Sequence, residues 1–466
     1  MPQRVPSLSY ACRGSGLRAC RVVVGIAVSA VAGAGSLPVA GCASGDTASD
    51  TGGGTSSAST TPTTTRSATT RAATTGAATT GAASAGDAAS TDDGAGRVAV
   101  DAAALANERL QSALVTELGG LKIVHDDWRR LGYRWSWTSE AEVTRRGRVS
   151  IVEPIDEGVA VIDSQSRLSV LDAESGRVRW ATNVATPLTA FVDLKQVGDS
   201  LIAFGRPELF IFDATGGDVL QRHDLKRSLN SPPAIYEGVA VFGSPGKSVL
   251  AHGFADTSGA LRDRPFDRGV SVWKYDLSSS VEARPALMNG STIGMVSTTG
   301  DVFFVDARTG SAVSRTSISG GVDSDPVTDG RTLFVASLDQ SVYALRPGAP
   351  RPEWRYRTAI PLTGQPALHE GTLYVDIPAE GLVAFDARTG AKLWTSPEAR
   401  GDVIAIRRGE LVVQGRSGLQ LVDARRGDVL ASIPTEGIDR LVPVSFVDDA
   451  MYAMQADGTI ARFDPR

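Results

Sequence analysis

Few side chains in this sequence combine into a pattern that does chemistry, and the clearest chemistry belongs to a thiol. Cys42 follows Leu37-Pro38-Val39-Ala40-Gly41. Small residues before a cysteine leave the backbone open to a peptidase and the sulfur open to acylation. The other two cysteines, Cys12 and Cys20, lie upstream, so everything after Cys42 forms neither disulfides nor thiolate metal sites. The histidines, His125, His223, His252 and His369, are widely spaced. His125-Asp126-Asp127 holds metal-competent groups but lacks a second histidine at ligand spacing, and reads as a solvated loop. Asp323-Ser324-Asp325 could pair carboxylates for acid–base work or Ca2+, yet no calcium loop with its central glycine follows, and it reads as a turn. Arg145-Arg146-Gly147-Arg148 reads as a solvated basic loop, with phosphate head groups or an acidic partner as the alternative. Gly-x-Ser-x-Gly, phosphate-loop, zinc-protease and dinucleotide fingerprints are all missing. These residues assemble no catalytic set, and the expectation is a protein that is not an enzyme and takes no cofactor or metal.

The elements around Cys42 explain its setting. Arg4, Arg13, Arg18 and Arg21 precede the apolar run Val22 to Gly41, a charged region followed by a hydrophobic one, as in a secretory signal. Val39-Ala40-Gly41-Cys42 resembles a bacterial lipobox, so residues 1–41 read as a lipoprotein signal peptide and Cys42 as the lipidation site. Two or three acyl chains on that residue anchor stably, where one is marginal. The rival reading is an uncleaved spanning helix, against which Gly25, Gly33, Gly35 and Pro38 argue. Either way the body lies outside the cytoplasm, on a bacterial cell membrane. Residues 42–96 are almost wholly Ser, Thr, Ala and Gly, cannot bury enough apolar surface to order, and read as a disordered tether. Its root-mean-square reach is roughly 40 Å. Residues 97–132 read as a short helical segment: Asp101 as N-cap, Leu105, Leu110, Leu114 and Leu118 at helical spacing, and Gly119-Gly120 as the stop.

The rest of the chain repeats itself. Asp386-Ala387-Arg388-Thr389-Gly390, with Trp394 four residues on, returns as Asp172-Ala173-Glu174-Ser175-Gly176 with Trp180. Weaker copies carry Asp213 and Gly217, Asp306 and Gly310, and Asp423 and Gly427. In this turn the Asp side chain accepts backbone N–H groups and the Gly closes it. Trp273 and Trp354 occupy places comparable to Trp180 and Trp394 after longer loops, and such a tryptophan can wedge between neighbouring sheets. Units open near a proline, as at Pro232-Pro233, Arg284-Pro285, Asp325-Pro326 and Gln365-Pro366, and continue through a glycine turn into dense apolar strands such as Leu382-Val383-Ala384-Phe385. A repeat of about 40 residues made of strands and turns means a β-propeller. The marker position falls at 172, 213, 256, 306, 346 (where an arginine, Arg346, replaces the aspartate), 386, 423 and 464, and the step from 256 to 306 is long enough to place an insertion within Leu261 to Val270. The expectation is an all-β propeller over residues 133–466, eight-bladed with seven as the alternative. The last unit stops at Phe463-Asp464-Pro465-Arg466, and Tyr133-Arg134-Trp135-Ser136-Trp137 can supply its missing strand. A net charge of −5 argues against nucleic-acid partners.

The Asp-Ala-x-x-Gly-x-x-x-Trp units resemble the PQQ-like (quinoprotein-type) propeller repeat. With the lipobox, the whole resembles the BamB-like propeller lipoproteins of the outer-membrane barrel-assembly machinery. That resemblance implies eight blades and a non-catalytic scaffold, here a monomeric propeller with an unknown protein partner. An extracytoplasmic ligand sensor or solute-binding module is the alternative. A PQQ-dependent dehydrogenase is the enzymatic one, but those enzymes set adjacent cysteines against the quinone, and no cysteine follows Cys42. Replacing the thiol tests the anchor: Cys42→Ala should abolish lipid labelling and release the protein from the membrane fraction. Unchanged retention would instead establish a spanning helix.

Overall fold

The computed structural model describes residues 115–466 apart from 119, 188 and 255–270, all within the unit Ala88–Arg466. The signal peptide, the tether, Cys42, residues 101–114 of the expected helix and the 261–270 insertion lie outside these residues. Eight four-stranded antiparallel sheets follow one another as blades. Blades 1 to 7 run from Val149–Ile155 through to Val429–Ile433 in unbroken chain order. Blade 8 takes three strands, Arg440–Pro443, Met451–Met454 and Thr459–Pro465, from the end of the chain and its outermost strand, Tyr133–Glu140, from the beginning.

The burial pattern explains why these sequences make this architecture. The second and third strands of each blade lie between two neighbouring blades, so both faces are covered and the strands read as continuous apolar runs. Leu333–Ser337 and Ser341–Leu345 are buried at every position. Outermost strands meet solvent and alternate, as Ala312–Ser317 does. Side-chain period two then assigns alternate residues to alternate neighbours. In blade 2, Leu201 and Ala203 pack towards blade 1, while Ile202 and Phe204 pack towards blade 3. Each of the eight blade interfaces has its own hydrophobic cluster, closing with blade 8 against blade 1 through Trp137, Val152, Val161 and Tyr452. Burial of each large side chain contributes roughly 1.5–3 kcal/mol.

Ring closure is a strand pairing between distant parts of the chain, with Tyr133 opposite Pro465 and Glu140 opposite Thr459. Arg407, buried in blade 7, rivets the seam. Its guanidinium donates to the Gly132 carbonyl at 3.0 Å and the Arg466 backbone oxygen at 2.5 Å, and pairs with Asp448 at 2.6 Å. The ring also lies 5.9 Å below that cation at Tyr133, whose phenol burial pushes up to about 12.

The segment before the seam corrects the sequence reading. Val115–Leu118 is a strand, not the end of a helix, and pairs with Leu121–Val124. Of the glycine pair read as a helix stop, Gly120 stands before the second strand at φ 127°; Gly119 lies outside the described residues. Leu121 and Ile123, alternating in the second strand, are fully buried against blades 7 and 8. A short helix, His125–Arg130, follows, so His125-Asp126-Asp127 is a helix start and not a loop. Its Trp128 stacks on Phe463 with centroids 3.5 Å apart.

The expected Asp-Ala-x-x-Gly turn forms as read: Asp386 Oδ1 accepts the Thr389 N–H at 2.7 Å and the Thr389 hydroxyl at 2.7 Å. The glycine has a second reason to be there. Gly390 sits at φ 71°, and a Cβ on it would lie 2.5 Å from the Trp354 indole of the preceding blade. Gly371 also has positive φ, 77°, but has nothing within 4 Å of the Cβ position. Gly371→Ala should therefore cost only the backbone term, about 1–2 kcal/mol, whereas Gly390→Ala should add roughly 1–3 kcal/mol of overpacking. Urea melts of the two variants check this; equal destabilisation would mean the indole contact is unimportant.

Candidate functional site

Five of the seven tryptophans reach into the next repeat. Trp180 Nε1 donates to the Ala214 carbonyl at 3.1 Å, Trp273 to Ala307 at 2.8 Å, Trp354 to Ala387 at 2.8 Å and Trp394 to Ala424 at 3.0 Å. Trp137, on the closing strand, does the same to Ala173 at 2.8 Å. Under these indoles lie Gly217, Gly310, Gly390, Gly427 and Gly176, in matching order. The expected wedge is thus a peg from one blade over the glycine turn of its neighbour, and Asp172, Asp213, Asp306, Asp386 and Asp423 shape those turns. These motif residues hold the ring together and stand on its outer part, away from the axis.

Interfaces without the peg carry other contacts. Between blades 2 and 3, His223 Nδ1 meets His252 Nε2 at 3.1 Å, and His223 Nε2 meets Gln221 Oε1 at 2.8 Å. The two histidines, 29 residues apart in sequence, are both buried. Burial lowers the pKa of His223, and burial together with the neighbouring ring lowers that of His252 to about 4. Among the described residues, no three His, Cys, Asp or Glu gather in a metal-holding group.

The axis of the ring is the candidate site. The innermost strands leave one edge unpaired, facing the hub, and a proline there forfeits no ladder hydrogen bond. This accounts for the proline that opens four of the units: Pro233, Pro285, Pro326 and Pro366 line a hub cavity of about 770 Å³. Ile235, Leu287, Leu368, Ile404 and Phe446 add apolar wall, and Leu287 remains 40% exposed within it.

A polar belt crosses the same hub from blade to blade. Lys195 Nζ donates to both Glu153 oxygens at 2.8 Å. Arg284 is the central clasp. It pairs with Asp193 of blade 2 at 2.6 Å, donates to the Pro233 carbonyl of blade 3 at 2.9 Å, and lies 3.6 Å from the Asp325 carboxylate of blade 5. The Arg284 N–H also donates to Asp325 Oδ1 at 2.7 Å. Gln365 of blade 6 links Asp325 to Asp402 of blade 7: its Oε1 accepts the Asp325 N–H at 3.0 Å, and its own N–H donates to Asp402 Oδ1 at 2.9 Å. Burial is the strongest single influence on Arg284 and works against its charge, but the Asp193 hydrogen bond together with the attraction of Asp193, Asp325 and Glu153 outweighs it and holds the guanidinium more firmly protonated. Burial raises the pKa of Glu153 against the pull of Lys195, and raises that of Asp402 with help from Asp376.

Asp402 also lines a second cavity of about 930 Å³, on the other side of blades 6 and 7, with Asp376, Glu398, Arg400 and Arg416. Asp376 Oδ1 is buried with no hydrogen-bond partner among the described residues. Of the acids singled out by sequence, Asp325 joins the belt while Asp323 is exposed, so the two do not act as a pair. Asp126 and Asp127 are engaged with Arg129 and Arg130 of their own helix, at 2.7 and 3.3 Å. Arg145, Arg146 and Arg148 are exposed, in the solvated turn expected. Sequence reading missed Arg284, Asp193, Lys195 and Asp402 as a group. The only signal was position: two of them stand at or beside the residue that opens an innermost strand.

Eight such blades, each Asp-Ala-x-x-Gly turn placed to receive an indole from its neighbour, define a PQQ-like β-propeller. The family model described as outer membrane protein assembly factor BamB matches residues 164–284 and 298–463, more than half of the sequence, and the chain belongs to that family. A curated relative, the outer membrane protein assembly factor BamB of Burkholderia pseudomallei (strain K96243), is 23% identical over 226 residues; the match covers 47% of this chain and half of that relative's length. The crystal structure of BamB from Moraxella catarrhalis superposes with a TM-score of 0.55 at 16% identity, covering 71% of this chain and 97% of that one. The computationally designed Ika8 protein superposes equally well, TM-score 0.55 at 12% identity over 70% of this chain and all of that one. At these identities the two structures share the fold.

The histidine pair carries a pH signature. Its neutral form is favoured in the folded state, so its stabilising contribution is intact above the unfolded pKa of 6.5 and is lost as pH falls from there towards about 4. The loss should amount to roughly 2–3 kcal/mol. Denaturant melts at neutral pH and near pH 5 should show a drop that His252→Gln reduces; an equal drop in both proteins would assign the effect elsewhere.

Proposed function

We propose that this protein is a lipid-anchored, extracytoplasmic scaffold that binds envelope proteins and has no catalytic activity of its own. The observation that carries this reading is membership of the BamB family over residues 164–284 and 298–463. The relative named for assembly at the outer membrane supports a partner in envelope protein assembly. Rigidity supports it too. A ring with a packed cluster at every interface holds its loops at fixed spacing, which is what a scaffold offers a partner. The outer rim presents apolar side chains at one repeated position, three residues after the turn glycine: Leu220, Val313, Leu393 and Leu430, 41–54% exposed. The anchor on Cys42 and a tether through residue 96 would leave the propeller free to meet partners within its reach of the membrane.

A second reading, an extracytoplasmic ligand-sensing or solute-binding module, is favoured by the hub cavity of about 770 Å³, a volume in the range of small-molecule sites. A quinone-dependent dehydrogenase is the reading least supported, since the chain lacks the paired cysteines of that class. Cross-linking in intact cells followed by pull-down from membranes separates the first two. The scaffold should recover a discrete envelope protein. Recovery of none would shift the assignment to the sensing module.

A further inference from the structure

We propose that the hub cavity is a binding site for a small amphiphilic amine, its apolar body against the proline-lined wall and its ammonium on Asp402. The inference deepens the reading of the hub as a chamber and is independent of the scaffold role.

The apolar half follows from the wall. Pro233, Pro285, Pro326 and Pro366 present rings without N–H donors, and Leu287 stands 40% exposed inside the lumen. An aliphatic or aromatic group of modest size would cover surface that the ring itself leaves open to water.

The charge of the head follows from which polar groups are already engaged. Lys195 is held by both oxygens of Glu153. Arg284 is held by Asp193, Asp325 and the Pro233 carbonyl. Gln365 gives its Oε1 to the Asp325 N–H and its amide N–H groups to the Asp325 and Pro366 carbonyls. An anionic ligand would have to break one of these pairs and leave a carboxylate uncompensated at the hub. Asp402 is different. One oxygen accepts the Gln365 N–H, and neither oxygen has a cationic partner among the described residues. The charge that acts on it is another carboxylate, Asp376, itself carrying a buried oxygen with no hydrogen-bond partner among the described residues. The hub cavity therefore offers one carboxylate with open acceptor capacity and no cation paired to it among the described residues. A primary ammonium supplies both the donors and the charge.

Isothermal titration calorimetry on the full-length protein in detergent, against a detergent-matched blank, tests this with three probes of equal apolar body: 4-phenylbutylamine, 4-phenylbutanol and 4-phenylbutyrate. The amine should bind at least about tenfold more tightly than the other two, the gain of one charge-assisted contact. Asp402→Asn keeps the oxygen that accepts from Gln365 and should bring the amine down to the level of the alcohol. Leu287→Trp fills the lumen from an exposed position and should weaken all three probes, a readout that stands if the Asp402 variant fails to fold. Equal binding of amine and carboxylate, unchanged amine binding in either folded variant, or no binding of the amine at millimolar concentration would overturn the assignment. None of these outcomes bears on the pull-down, so the ligand site and the scaffold role fail separately.

Discussion

The seam between the two ends of the propeller is the constraint on which the rest of the structure depends. Seven blades are built from consecutive chain, and the first and last of them would each expose an open face without the eighth. The eighth exists only when Tyr133–Glu140 pairs with Thr459–Pro465. Until then Trp137 has no Ala173 carbonyl to meet, and blade 1 lacks the neighbour that covers Val152 and Val161. Arg407 makes the seam a charged joint as well as a strand pairing, because one guanidinium holds Gly132, Asp448 and Arg466 together. Removing one partner of such a buried arrangement costs more than the arrangement contributes, since the charge that remains is unpaired.

Given closure, the ring is held by two kinds of contact at different radii. Near the middle, alternate side chains of buried strands pack against alternate neighbours, a non-directional contact that tolerates divergence between repeats. Further out, the indole over a glycine is directional: it needs a glycine with no Cβ and a carbonyl at hydrogen-bond distance. Five interfaces use it. Elsewhere other chemistry stands in, such as the His223–His252 contact between blades 2 and 3. Blade 4 offers a small example: Ser314, four residues after its turn glycine, accepts the Gly348 N–H of blade 5 at 2.8 Å.

The hub shows how a propeller acquires a chamber. Innermost strands must leave an edge open, prolines make that edge safe against further pairing, and the resulting wall is apolar. Charges in so confined a space must be matched, and the belt from Glu153 to Asp402 matches all but its last member. The place where compensation stops is where a ligand has something to add.

Most of the architecture was legible in the chain. The Asp-Ala-x-x-Gly turns, the dense apolar strands, the prolines that open four units and the closing strand at Tyr133–Trp137 are local signals, and the structure contains them all, in eight blades. One local signal misled: Gly119-Gly120 ends a helix or turns a hairpin equally well, and only the burial of Leu121 and Ile123 against blades 7 and 8 decides for the hairpin. The site was not legible. Arg284 and Asp193 are 91 residues apart, and His223 and His252 belong to different blades. Sequence alone determined the repeat, because turn chemistry and strand patterning act over a few residues. Tertiary structure alone decided which turn each indole covers and which charges meet at the axis, because a closed ring sets beside each other residues that no short-range spacing connects.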